Sequence, residues 1–303
     1  MPRPLTPSFQ RFAVSSLLAL GGLSVVVLLY MAGPALAADD AAAWPKVRAK
    51  GLLLVDLSQQ EVLYESHATA RLAPASLTKI MTAIVAIEEG DPDVIVTVSR
   101  RASRATGHRL RLRAGEAFRQ GDVITAMLVT SANDACLALA EGIGGTEAGF
   151  VEKMNRYAET LGLRDTRFAN ACGFDARNHY STARDLARLA TDAMEHEAFA
   201  TAVSHRDGKL TTVNGRKTYR LRTTNRLMSS YQGAVGVKTG FTRGAGRCLI
   251  ARVVREQGDL LLVMLNAPRR WWDAATLFSH AFKTLDQARA SKGSLASDGL
   301  IPL

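Results

Sequence analysis

Apolar positions change their spacing along this chain, and the changes mark out its elements. In "KGLLLVDLSQQEVLYESHA" two β-prone runs, Leu52 to Leu57 and Glu61 to Tyr64, flank a polar turn at Ser58 to Gln60. That pattern predicts a hairpin. From Ala75 to Glu89 the apolar residues Ile80, Ala83, Ile84 and Ile87 fall at helical spacing, and Gly90 and Pro92 end the run. Gly121 to Ile143 predicts two helices broken by the polar "TSAN". Phe150 to Leu161 and Thr182 to Met194 predict two more, the latter with Thr182 as N-cap and Asp185 three residues on. The pattern then reverts to short β-branched runs in "GAVGVKTGF" and "GRCLIARVVREQGDLLLVMLNA", with a turn at Glu256 to Gly258. Trp271 to Leu285 predicts a closing helix, and the small, polar residues 289–303 read as a disordered tail. Strands at both ends with helices between predict an α/β fold. One antiparallel sheet would be built from both chain ends and flanked by helices, with an inserted, mostly helical lobe.

The 303 residues, 47% hydrophobic and 22% charged, suit one folded unit. Residues 1–37 stand apart from it. Arg3 and Arg11 precede an apolar run from Phe12 to Gly33, and "PALAADD" places Ala35 and Ala37 where a signal peptidase reads small residues. The expectation is a cleaved signal peptide and a periplasmic or secreted protein of residues 38–288. An uncleaved N-terminal anchor is the alternative, because the run is long enough to span a bilayer. Only in that case is a membrane a partner. Cleavage removes two arginines and no acids, taking the net charge from +10 to +8. Such an excess suits an anionic partner or a solvated basic surface. The densest basic stretch, Ser99 to Arg113, lacks interleaved aromatics and zinc spacing, so no nucleic acid is expected. Cys136, Cys172 and Cys248 are too few for a disulfide framework. Cys136 and Cys248 read as small buried residues, with one disulfide possible but not expected.

Three short motifs carry chemistry: Ser76-Leu77-Thr78-Lys79, Ser131-Ala132-Asn133 and Lys238-Thr239-Gly240. Each alone has an ordinary reading as a helix start, an N-cap or a turn. Together, in this order, they form the signature of class A β-lactamases and penicillin-binding proteins. Ser76 and Lys79, three apart, share a helix face, so the amine can take the hydroxyl proton. Lys79 can do so only when neutral, which requires burial or a nearby cation such as Lys238. Ser131 can pass a proton to a leaving amine, and Asn133 can hold a substrate amide. The Ser76 and Phe241 amides are placed to bind an oxyanion.

On these motifs and on "PASLTKIMTA", "SANDACLALAE", "GLRDTRFANACGFDARNHYSTARDLARLA" and "GVKTGFTRGAGRCLIA", the chain resembles the low-molecular-mass penicillin-binding proteins that are serine-type D-alanyl-D-alanine carboxypeptidases. The resemblance spans roughly Lys46 to Leu285. It implies removal of the terminal D-alanine from peptidoglycan stem pentapeptides through a Ser76 acyl-enzyme, without metal or cofactor, and β-lactam antibiotics as covalent inhibitors. It implies Lys79 as base, Ser131 and Asn133 as relay and substrate holder, and Lys238, Thr239, Gly240 and Phe241 at the substrate. It also places an arginine before the last helix on the substrate carboxylate: Arg270, or Arg269. Two departures stand out. The chain ends without the C-terminal β-rich domain and amphipathic helix of well-known members, so no C-terminal membrane attachment is expected. Ala132 stands where relatives carry glycine or aspartate.

Other activities fit less well. A β-lactamase of class A needs a glutamate to activate water, and "RDTRFANACGF" offers no acid with an asparagine four residues on. A D,D-endopeptidase cutting cross-links would use the same residues in a differently shaped cleft. A non-catalytic wall-binding protein predicts a damaged motif, and none is damaged. His108, His179, His196, His205 and His280 lack paired zinc-ligand spacing.

Overall fold

The computed structural model describes residues 43–297. The expected signal segment, residues 1–37, lies outside them. The expected hairpin is β1 (Gly51–Asp56) and β2 (Glu61–Ser66). Asp56 closes its turn by accepting the amides of Ser58 at 2.8 Å and Gln59 at 3.3 Å.

The first helix begins differently from the expectation. Ala75–Thr78 is a 3-10 turn, and only then does α1 (Lys79–Glu88) start. Ala75 has φ +49°, a left-handed conformation in which a helix cannot begin. Ser76 therefore sits on a tight turn that leads into α1. From Pro74 to Ala86 every residue is buried except Ser76, which is half-buried and faces a cleft. A helix apolar all round belongs in a core. Fully buried Ile80, Met81 and Ile84 each contribute about 1.5–3 kcal/mol to holding it there.

β3 (Ile95–Thr97), α2 (Arg100–Ser103) and β4 (Ala117–Arg119) lead into the helical lobe. Its helices are α3 (Gln120–Thr130), α4 (Asn133–Gly144), α5 (Glu147–Thr160), α6 (Ala183–Glu195) and α7 (Glu197–Ser204). The break between α3 and α4 falls at the predicted "TSAN". Thr182 caps α6 as expected, accepting the Asp185 amide at 3.0 Å. β5 (Asp207–Thr211) and β6 (Thr218–Arg222) pair as a separate ribbon, followed by the short α8 (Leu227–Ser230).

The chain then returns to the first hairpin. β7 (Ala234–Thr242), β8 (Gly246–Arg255) and β9 (Gly258–Leu265) join it in one antiparallel sheet of order β2-β1-β9-β8-β7. Sheet residues alternate between two cores. Leu53, Leu261 and Val263 face the helical lobe. Leu52, Leu54, Leu260, Leu262 and Met264 face α9 (Arg270–Ser297) through Leu277, Phe278 and Phe282. Because both faces are covered, the central strands read in the sequence as unbroken apolar runs.

Two expectations need correction. α9 runs to Ser297, so residues 289–297 are helical rather than a disordered tail; residues 298–303 lie outside the described part. The composition hides this, but Ala288 and Ala290 are strong helix formers and Arg289 donates to the Glu256 carbonyl at 2.9 Å, tying the helix to the β8–β9 turn. The cysteines also differ: Cys136 and Cys172 form a disulfide with Cα atoms 5.9 Å apart, while Cys248 is free and buried. Spacing could not show the pair, since α4 and the segment before α6 meet only in the fold. Closing a loop with a sequence separation of 36 contributes about 3–4 kcal/mol on the chain-entropy account.

Candidate active site

The structure brings the three motifs together around one cleft of about 460 Å³. The 3-10 turn supplies Ser76, the α3–α4 junction supplies Ser131 and Asn133, and β7 supplies Lys238 to Phe241. The Lys79 ammonium donates to Ser76 Oγ at 3.2 Å, to Asn133 Oδ1 at 2.7 Å and to the Cys172 carbonyl at 2.6 Å. Asn133 Nδ2 donates in turn to the Thr106 carbonyl at 2.7 Å, which fixes the orientation of the amide. Lys79 is fully buried, and this burial, partly opposed by Asp134, holds its pKa down to about 7.

Across the cleft, Lys238 Nζ donates to Ser131 Oγ at 2.8 Å and to the Thr239 carbonyl at 2.9 Å. Ser131 has φ +63° and ψ +27°. This left-handed step ends α3 and aims the hydroxyl at Lys238, at a backbone cost of about 1–3 kcal/mol for a non-glycine residue. Lys238 titrates well below the usual lysine range, first through burial and then through Lys79 and Arg270. Thr239 Oγ1 meets Thr224 Oγ1 at 2.6 Å. Gly240 lies on the same strand face as Lys238. A Cβ there would come 3.1 Å from the Pro74 carbonyl and 3.2 Å from the Ser76 amide, so a larger residue would push β7 and the serine turn apart by a few tenths of an ångström. Phe241 borders the cleft with its ring largely exposed.

The two candidate arginines separate clearly. Arg270 reaches the cleft and donates to the carbonyls of Gly240 at 2.6 Å and Cys248 at 2.8 Å, while its buried Nε has no partner. Burial lowers its pKa to about 10; Cys248 opposes this, and Arg247 and Arg226 add to it. Arg269 instead pairs with Asp273 at 3.3 Å and points to solvent.

Several residues shape this site without standing in any motif. Asn170 Oδ1 accepts the amides of Cys172, Gly173 and Phe174, a tight turn that presents the Cys172 carbonyl to Lys79. Gly173 has φ +85°, and a Cβ on it would overlap the Ala75 carbonyl at 1.9 Å. Asp134 accepts the amides of Leu110 and Leu112, and so pins the end of the basic stretch beside the cleft. His179 accepts the Ala169 amide on Nδ1, which leaves Nε2–H to donate to Thr78 Oγ1 at 2.8 Å. Burial lowers its pKa to about 4, so it stays neutral and acts as a brace. The spacing of "NAC" hints at an Asn turn, but nothing in it indicates that a main-chain carbonyl faces a lysine 93 residues away.

The acids of the segment before α6 are engaged elsewhere. Asp165 pairs with Arg71, and Asp175 accepts from Thr242 and Gly244. Neither lines the cleft that holds Ser76.

The sequence profile of the D-alanyl-D-alanine carboxypeptidase family matches residues 38–269. The chain belongs to that family. It is 34% identical to the D-alanyl-D-alanine carboxypeptidase DacF of Bacillus subtilis over 249 residues, 80% of this chain and 64% of that one. The chain thus spans slightly less than two thirds of that carboxypeptidase. A D-alanyl-D-alanine endopeptidase of Escherichia coli is 30% identical, with 76% of this chain and 75% of that one aligned. Among solved structures, a DD-transpeptidase from Streptomyces superposes with TM-score 0.75 at 30% identity, covering 80% of this chain and 99% of the other. The carboxypeptidase family fold is therefore shared, and the α/β sheet with its helical lobe is the one the sequence predicts.

Proposed function

We propose that this chain is a serine D-alanyl-D-alanine carboxypeptidase, acting on stem pentapeptides of peptidoglycan through an acyl-enzyme on Ser76. The observation that carries the proposal is the buried Lys79 amine, 3.2 Å from Ser76 Oγ and held by Asn133 and Cys172. With a pKa near 7 a large share of it is neutral and can act as base. Lys79 takes the Ser76 proton as Oγ attacks the scissile carbonyl, and the Ser76 and Phe241 amides receive the oxyanion. The Lys238–Ser131 pair hands a proton to the leaving amine, and Asn133 holds the amide on the acyl side. Lys238, Thr239 and Arg270 bind the terminal carboxylate with cations and a hydroxyl. Water then hydrolyses the ester, and the proton returns through the same amines. β-Lactams would enter as far as the ester and stay, since among the described residues no Asp or Glu lines the cleft to drive fast deacylation.

The test is release of free D-alanine from a muropeptide pentapeptide by the purified chain, with no metal added. Rapid hydrolysis of penicillin without D-alanine release would overturn the reading in favour of a β-lactamase.

The same reading places the protein outside the cytoplasm. The apolar segment before residue 38 is an export signal, and a disulfide beside the nucleophile suits an oxidising compartment. Among the described residues no helix is long and apolar enough to cross a membrane. N-terminal sequencing of the exported protein reads the outcome: a start at Ala38 means a cleaved signal, an intact Met1 an anchor.

A further inference from the structure

Beside the cleft lies a second, larger cavity of about 920 Å³. The two share Thr224 and Arg270, so they meet at the end of the cleft where Thr239 and Arg270 stand. Arg206, Arg222, Arg226, Arg247 and Arg270 all line it, drawn from four separate places in the chain, with Arg222 and Arg226 at the two ends of one lining run. Among the described residues, Asp207 is the one acid on its wall, and none of the five arginines is paired with a carboxylate. Arg206, Arg222 and Arg226 have no side-chain partner, and Arg247 and Arg270 donate only to backbone carbonyls. A basic protein displays many arginines, but solvated ones spread apart to lower their repulsion. Here they converge on a concavity of a size that suits a substantial ligand, and Arg247 and Arg226 lie close enough to act on Arg270.

The position of this cavity says which part of a substrate would reach it. If the terminal carboxylate docks at Lys238, Thr239 and Arg270, the acyl group lies toward Asn133 and His108. Whatever extends from the leaving residue then points into the arginine cavity. A leaving D-alanine ends at the mouth and uses none of the further arginines.

We propose that the arginine-lined cavity is a leaving-group subsite for an acidic peptide. Its occupant is a leaving residue that keeps its own α-carboxylate, as D-alanine does, but whose side chain continues into a second stem bearing more carboxylates. Cross-linked stems have this chemistry, so the chain cuts cross-links as well as terminal D-alanine. The bond changes are those of the simple reaction. Ser76 Oγ replaces the leaving nitrogen on the carbonyl, the nitrogen leaves as an amine with the proton, and water restores the serine and releases the acid. The inference rests on the proposed carboxylate site at Thr239 and Arg270.

The experiment compares three substrates: a pentapeptide, a cross-linked dimer with an acidic leaving stem, and the same dimer with that stem's carboxylates amidated. The variants are Arg206→Ser, Arg222→Ser and Arg226→Ser, singly and combined. All three side chains are exposed and none lies in the proposed catalytic set. The wild-type kcat/KM for the acidic dimer should exceed that for the amidated dimer and fall as salt is raised. The triple variant should lose about tenfold on the acidic dimer, a loss of about 1.4 kcal/mol, and change little on the pentapeptide. Acidic and amidated dimers cut at equal rates, no dimer cleavage at all, or equal losses on dimer and pentapeptide would each overturn the subsite. Penicillin labelling and D-alanine release from the pentapeptide, measured on the same preparations, report separately on the underlying carboxypeptidase reading.

Discussion

Ser76→Ala is expected to abolish covalent labelling by a fluorescent penicillin and to take D-alanine release below detection, while the protein stays folded. Only an oxygen nucleophile at this position can form the ester, and alanine removes it. Stability should hardly change. The hydroxyl has one hydrogen bond, the 3.2 Å contact from Lys79, and the amine keeps two shorter bonds to Asn133 and Cys172 after the substitution. Losing one such bond in a half-exposed position costs on the order of 1 kcal/mol, visible as a small shift in Tm. Pentapeptide should still bind, because its carboxylate partners are untouched, so equilibrium binding separates a lost nucleophile from a lost site. Labelling that persists in the Ser76→Ala protein would mean another residue is acylated, and the whole assignment would fall with it.

How much of this was legible before the fold was known depended on how local each feature is. The S-x-x-K pair, the serine–asparagine pair and K-T-G each lie within four residues, and helix or strand geometry sets their internal spacing. Such features survive in one dimension. The sheet built from both ends was legible too, because its central strands are continuous apolar runs. What escaped depends on chain segments that meet only in three dimensions. The Cys172 carbonyl acts through the main chain and carries no side-chain signature. The Cys136–Cys172 pair joins α4 to an irregular segment whose path no periodicity reveals. α9 continues past its apolar stripe because residues beyond Leu285 favour helix and Arg289 holds them, whereas composition alone reads small polar residues as disorder. The arginine cavity is the extreme case. Apart from Arg270, which the family resemblance singles out, each of its members reads singly as surface charge, and only the fold brings residues 206 to 270 around one hollow.

The disulfide and the Asn170 turn also explain how the amine proposed as the base can be kept both buried and satisfied. A lysine sealed in a core with no acceptors would be expelled or left unpaired at a cost of several kcal/mol. Here the Cys172 carbonyl, the Asn133 amide oxygen and the serine itself take its three donor directions. No carboxylate makes direct contact, so burial can lower the pKa without a bound countercharge restoring it. Asp134, one residue from Asn133, pulls the other way but spends its oxygens on backbone amides.

Lys79→Arg should leave binding measurable and reduce acylation by about 10²–10⁴-fold, the usual worth of a positioned base. Arginine keeps the charge, but its guanidinium does not lose a proton in any accessible range, so it cannot accept one from Ser76. In the wild-type protein the acylation rate should rise with pH through about 7 and level off above it, because neutral Lys79 is the active form. At pH 5 it should lie about a hundredfold below the plateau, two pH units beneath the midpoint. Stability carries the same signature with a definite sign. The folded state holds the amine near 7 while an unfolded chain holds it near 10.5, so between those values the unfolded state binds the extra proton and stability rises with pH. Below about 7 both states are protonated and the full cost of burying the ammonium remains. Lys79→Met removes this titrating group and should reduce that slope, leaving the part that the likewise lowered Lys238 contributes. Stopped-flow acylation by a chromogenic β-lactam, with urea unfolding at pH 6 to 10, measures both. An acylation rate flat from pH 5 to 8, or an arginine variant as fast as wild type, would show that the proton leaves Ser76 by another route.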